Sequence, residues 1–257
     1  MLNKLSFDNI FIPRKIDEIE EKEKMRIQRL LQQEVVEGDL DLHGINWIED
    51  LGNIREVRGD LDLHGINWIE DLGNIREVRG HLYLHGSSIK SLGKLKYVGN
   101  SLWLQNTPIQ SLGNLEKVGG SLRLENIPIQ SLGNLKYVGW SLYLQNSQIQ
   151  SLGNLEYVGA DLHLQNTPIQ SLGNLQHVGG NLWLSNTPIQ SLGNLKHVGG
   201  SLGLSDTSIQ SLGNLRYVGK NLYLQNTLLS KLSKEELNKI LSKIEIGKRV
   251  YVKQTKF

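Results

Sequence analysis

The block Gly-Asp-Leu-Asp-Leu-His-Gly-Ile-Asn-Trp-Ile-Glu-Asp-Leu-Gly-Asn-Ile-Arg-Glu-Val-Arg-Gly occurs twice without a change, at 38–59 and 59–80, and looser copies follow every 20 residues to about residue 232. Tandem similarity at this period constrains the fold more than any other feature of the chain. Units of 20–21 residues cannot enclose a core alone, so they stack as coils of a solenoid, each touching only its neighbours. Such a molecule has no deep central pocket and presents one long repeated face.

One copy, 101–120, shows how a coil is built. Leu102 and Leu104 alternate with outward residues, the pattern of a short strand with one buried face. Asn106-Thr107-Pro108 signals a turn. Ile109, Leu112, Leu115 and Val118 then recur at every third position, and with Gly113 and Gly119–Gly120 they read as an irregular, tightly wound return path. Burying six aliphatic side chains does not offset the entropy of ordering twenty residues, so a coil is stable only when stacked. The first two copies hold one extra residue around Ile45-Asn46-Trp47, which predicts a small bulge after the strand. The Asn of the Leu-Gly-Asn step (Asn53, Asn74, Asn114, Asn194 and others) reads as a turn-bonding side chain, replaced once by Lys94.

Three segments follow. Residues 1–37 lie outside the repeat. Lys15 to Gln33 is helical in pattern, with Ile16, Ile19, Met25, Ile27, Leu30 and Leu31 on one side and Pro13 just ahead, a capping helix for the exposed end of the array. The apolar stretch Leu5–Ile12 packs on that cap or forms an arm. Residues 38–232 hold the array of about ten coils. Residues 233–257 close it, with Ser233 and Glu236 as a capping box, an apolar face of Leu237, Ile240, Leu241 and Ile244, Gly247 as helix stop, and Arg249–Lys253 as a final strand.

The net charge of +2 gives no overall field for nucleic acid or an anionic membrane. The repeats 38–230 carry fifteen acidic and thirteen basic side chains, and the basic excess sits after residue 230. The absence of cysteine excludes disulfides, thiolate metal sites and a cysteine nucleophile, and fits a reducing cytoplasm. No signal-peptide pattern and no membrane-length apolar run is read, so the expectation is a soluble cytoplasmic protein.

The spacing Leu122-x-Leu124-x-x-Ile127-x-Ile129-x-x-Leu132 resembles the leucine-rich repeat family, and the Leu-x-x-Leu and Val-x-Gly steps are similar to those of receptor L domains. The resemblance covers about three quarters of the chain. It implies a single right-handed curved array with a parallel sheet on the concave side, and a protein partner on that side. Two features depart from the family. Its usual asparagine after the strand is mostly Thr or Ser here (Thr107, Ser147, Thr167, Thr187, Thr207, Thr227), and the Leu-Pro-x-Leu-Pro signature of bacterial effector versions is absent.

Between the two strand leucines the chain reads Asp41, Asp62, Tyr83, Trp103, Arg123, Tyr143, His163, Trp183, Gly203 and Tyr223, a column that points away from the core. It varies while the scaffold letters are copied, and it varies into Trp, Tyr and Arg, the residues enriched at binding hot spots. The next outward column is His43, His64, His85, Gln105, Glu125, Gln145, Gln165, Ser185, Ser205 and Gln225. The candidate partner-binding set is therefore Tyr83, Trp103, Arg123, Tyr143, His163, Trp183 and Tyr223 with Gln105, Glu125, Gln145 and Gln165. Cross-strand stacking of the rings is the competing explanation. A further column, Tyr97, Lys117, Tyr137, Tyr157, His177, His197 and Tyr217, either widens the rim or leans over the glycine turns.

Asp39, Asp41, Asp60 and Asp62 cluster with His43, His64 and His85 at the N-terminal end. This patch reads as an acidic docking surface or a solvated face copied with the duplicated block, ahead of a metal or catalytic site. No triad, phosphate loop or nucleotide fingerprint appears, so no enzyme and no cofactor is expected. The expected function is a non-enzymatic protein-binding module, an adaptor or inhibitor, such as a phage or bacterial factor that blocks a host or defence protein. Carbohydrate or small-ligand binding on the aromatic column is the alternative. Nucleic acid is disfavoured by the charge, and a monomer is expected, with oligomerisation left open.

Overall fold

The computed structural model describes residues 15–252. The chain enters through α1 (Lys15–Leu31), winds through the repeats as a parallel β-solenoid, and inserts α2 (Lys234–Leu241) before its last coil closes. The stretch Leu5–Ile12, Pro13 and Lys253 lie outside the described residues, as do the side chains of Ile16 and Ile19. No described helix is long and apolar enough to cross a membrane.

Each repeat contributes two strands of two residues, for example Tyr97–Val98 and Leu102–Trp103. They build two 11-stranded parallel sheets. The Val sheet runs from Val35–Val36 to Glu245–Ile246, and the Leu-x-Leu sheet from Leu40–Asp41 to Val250–Tyr251. Strands pair with their equivalents one coil away, so Leu122 sits between Leu102 and Leu142, and Val138 between Val118 and Val158. The return path expected to be irregular thus carries a second ladder. Its strands are too short to show alternation within a stretch whose apolar residues recur every third position.

All six aliphatics of the 101–120 coil are at most 2% exposed, and the same six rows run through the array as one core. Two devices set the corners. After each Leu-x-Leu strand one residue takes a left-handed conformation: Gly44, Gly65 and Gly86 in the first three coils, then Asn106 (φ 57°) and its successors, with Asp206 in one coil. The residue after it, Thr107, Ser147, Thr167, Thr187, Thr207 or Thr227, is buried and donates its hydroxyl to the carbonyl of the second strand leucine at 2.6–2.7 Å. That bond gives Thr and Ser a structural reason to stand at this position. The glycine after Val allows close stacking, since a Cβ on Gly159 would collide with the Gly139 carbonyl.

The extra residue of the first coils falls between Ile45 and Ile48, where the Trp68 indole donates to the Ile45 carbonyl at 2.7 Å. The Leu-Gly-Asn amide reaches the glycine carbonyl of the preceding coil, from Asn74, Asn114 and Asn194, rather than its own turn.

Helix α1 covers the first coil with Ile27 and Leu31, and its last carbonyl accepts from the coil, Asn53 N–H to Leu31 O at 2.8 Å. Met25, expected on the buried side, is 43% exposed. At the other end Ser233 and Glu236 form the predicted capping box. The helix ends at Leu241, not at Gly247. Gly247 instead takes the place of the Val-Gly glycine, packed on the Gly219 carbonyl, and α2 is an insertion that spaces the last coil 28 residues from the one before. Val250–Tyr251 supplies the predicted final strand, and Glu245–Ile246 adds a second that the sequence pattern did not reveal.

Candidate partner-binding face

Strand register places the variable column in a single line. Tyr83 pairs with Trp103, Trp103 with Arg123, Arg123 with Tyr143, Tyr143 with His163, and His163 with Trp183. Tyr223 is joined by Tyr251 of the last strand, a member that the repeat pattern did not reveal. These side chains are half-exposed, with Asp41 exposed and Gly203 buried. None of the predicted partner-binding residues is part of the core.

The column is not a set of independent anchors, however. Tyr83 and Trp103 stack in parallel at 4.6 Å, Tyr143 and His163 at 5.0 Å, and Tyr223 and Tyr251 at 4.8 Å. The Arg123 guanidinium lies 4.6 Å from the Tyr143 ring, and its Nη1 donates to Glu125 Oε1 at 3.1 Å. His81, one step outside the predicted set, packs against Trp103 at 5.1 Å. Both explanations weighed for the column therefore meet in one place: rings support the sheet through cross-strand contact and still present their edges to solvent. Burial pushes the Tyr83 hydroxyl pKa up, reinforced by Asp60, Asp62 and Asp39. It pushes the His163 imidazole down.

In the next column Gln105 donates to Glu125 at 3.2 Å, and Ser205 to Gln225 at 2.8 Å. Buried acceptor atoms of Gln105, Glu125, Gln145 and Gln165 have no protein partner among the described residues. His43, His64 and His85 stack at 3.7 and 4.9 Å. Burial lowers the His85 pKa, and the neighbouring His64 lowers it further.

The four aspartates divide by role. Asp39 and Asp60 accept the backbone N–H of Asp60 and His81, at 2.7 and 2.6 Å, the place that Ser101 takes for Ser121 further along. They are part of the scaffold. Asp41 and Asp62 oppose each other on neighbouring strands and point outward; Asp62 bonds His64 Nδ1 at 2.7 Å, and no other basic side chain within ion-pair range relieves them among the described residues. No group of three or more His, Cys, Asp or Glu side chains among the described residues is arranged to hold a metal ion.

The Val sheet resolves the column left open by the sequence. Tyr137, Tyr157, His177, His197 and Tyr217 form a continuous parallel stack with centroid spacings of 4.4–4.9 Å, and Lys117 bridges Tyr97 and Tyr137 by cation–π contact at 5.6 and 5.1 Å. Trp140, at the corner between the sheets, is 68% exposed where neighbouring coils carry Gly120, Ala160 and Gly180. The signal for it in the sequence is that contrast of one Trp among small corner residues, which lies outside the strand columns. No protein-family model matches the chain, and no curated protein sequence matches it.

Proposed function

We propose that the protein is a non-enzymatic binding module of leucine-rich-repeat type, an adaptor or inhibitor working in the cytoplasm, and that it lays a protein partner across the outer face of the Leu-x-Leu sheet. The observation that carries this reading is the placement of the in-chain variation. Leucine rows, corner residues and coil-to-coil bonds repeat, while one in-register line of half-exposed side chains changes at almost every coil into Tyr, Trp, Arg and His. Variation that the fold does not need is spent on residues suited to recognition.

Ring stacking favours a protein over a sugar. A sugar needs an open aromatic face, whereas Tyr83, Trp103 and Tyr143 each have a face covered by a neighbouring rung. Their exposed edges and polar tips suit the mixed contacts of a protein surface.

The test is affinity capture with immobilised protein, followed by titration of the recovered partner. Trp103→Ala and Trp183→Ala together should weaken its binding by about 1,000-fold, two hot-spot truncations of roughly 2 kcal/mol each. A partner held equally well by the double variant would move the site elsewhere.

A further inference from the structure

We propose that the gap at Gly203 is a slot for a planar cation, an arginine side chain presented by the partner. This inference rests on the Leu-x-Leu face being the partner-binding face, and names one element of partner chemistry there.

Every other interior rung of the ring column is filled. At rung 203 the side chain is missing, and Trp183 leans across the vacancy toward Tyr223, with ring centroids 6.0 Å apart and planes at 35°. Three other neighbouring pairs of this column, Tyr83–Trp103, Tyr143–His163 and Tyr223–Tyr251, stack within 12° of parallel, whereas Trp183 makes no such stack with His163 on its other side. A Cβ on Gly203 would collide with Trp183 Cε3, so the indole occupies the space a side chain would take. Trp183 and Tyr223 belong to strands two spacings apart, about 9.6 Å, which is the room for one flat group stacked on both sides. The neighbouring column is also cut away here: Ser185 and Ser205 stand where most other coils carry His, Gln or Glu. Asp206 adds a carboxylate at the adjacent corner, where coils 106 to 186 and 226 have Asn.

The chain contains its own template for the filled slot. Trp103–Arg123–Tyr143 has the same flanking rings in the same order as Trp183–Gly203–Tyr223. In the first, the guanidinium stacks on the tyrosine and bonds the carboxylate of the next column. An incoming arginine would reproduce that rung, with Trp183 rotating upright to face it; the Ser205 oxygen, whose hydroxyl donates to Gln225, and the Asp206 carboxylate, whose Oδ1 already accepts from Asn226, have remaining acceptor capacity beside it. Lysine can also bridge two rings, as Lys117 does between Tyr97 and Tyr137 in the other sheet, but its ammonium lacks the flat face and forked donors that let Arg123 lie on Tyr143 and bond Glu125 at once.

The probe is N-acetyl-arginine-N-methylamide, titrated into the full chain while the indole N–H signals are followed by NMR. The expected result is a saturable shift of the Trp183 signal, with the lysine analogue at least about fivefold weaker. Gly203→Arg should abolish the response and hold the Trp183 signal at its arginine-saturated position, with an unchanged fold because large side chains occupy this position in other coils. An unmoved Trp183 signal, an equal response to lysine, or a response that survives Gly203→Arg overturns the slot. Failure here with partner capture still lost in the Trp103/Trp183 double variant removes the slot and leaves the binding face. Arginine uptake with capture unaffected by that double variant leaves the slot and removes the face.

Discussion

Single residues in this chain are tested many times over by its own repetition. The Thr after each strand illustrates the point. Its hydroxyl bonds a carbonyl three residues back in six coils, but the 121–140 coil has Ile127 there, 2% exposed and without a hydroxyl. Thr167→Val keeps the volume and removes the bond to Leu164, so it should cost about 1 kcal/mol, read as a lower urea midpoint with an unchanged slope. Gly159→Ala should cost more, about 1–3 kcal/mol, because the new methyl meets the Gly139 carbonyl in backbone that both sheets hold in place. The buried leucine, isoleucine and valine rows were legible from spacing alone, whereas the hydroxyl bond of the Thr was not. Ring stacking was legible only as one of two explanations, because spacing shows which side chains share a face but not how they turn. The Gly203 gap did leave a signal, one glycine in a column of large residues beside Ser185 and Ser205, and it becomes meaningful only once Trp183 is seen across it.

At the scale of the elements, the two sheets turn isolated histidines into coupled ones. His177 lies between Tyr157 and His197 in the Val sheet, and burial with the charge of His197 lowers its pKa. His163 is lowered by burial against opposing pulls from Asp161 and Glu125, and His85 by burial and His64 against Asp62. A folded-state pKa below the ordinary 6.5 means that the unfolded chain takes up protons first. These groups therefore leave stability intact above about pH 6.5 and subtract from it as the pH falls through that value. The double variant His163→Gln/His177→Gln should lose less stability than the natural chain between about pH 7.5 and pH 5.5, measured by urea unfolding at each pH. Sequence patterning found the helices and the Leu-x-Leu strands. It misplaced the end of α2 because a glycine after an apolar helical face reads as a stop, whereas Gly247 is fixed by its packing on Gly219, a contact across 28 residues of chain.

The whole molecule behaves as a line of nearly interchangeable coils, and that predicts which deletions it tolerates. Each strand pairs only with its counterparts in adjoining coils, so residues 121–140 can stack directly on 161–180 if 141–160 are removed. Leu122 would then face Leu162 in place of Leu142, and Val138 would face Val178 in place of Val158, with every core row continuous. This deletion should unfold in a single transition, with a denaturant slope smaller by about a tenth, the share of surface one coil contributes. Removing only 141–150 should behave differently. It leaves a coil that cannot close, separating a block capped by α1 from a block capped by α2, each with one raw end, and unfolding should split into two steps. The one-coil deletion also separates scaffold from recognition. Trp183, Gly203 and Tyr223 stay adjacent in it, so the Trp183 response to the arginine probe should persist, while a partner that spans the column should bind more weakly because Tyr143 is gone and every rung after it has moved one coil closer to Arg123.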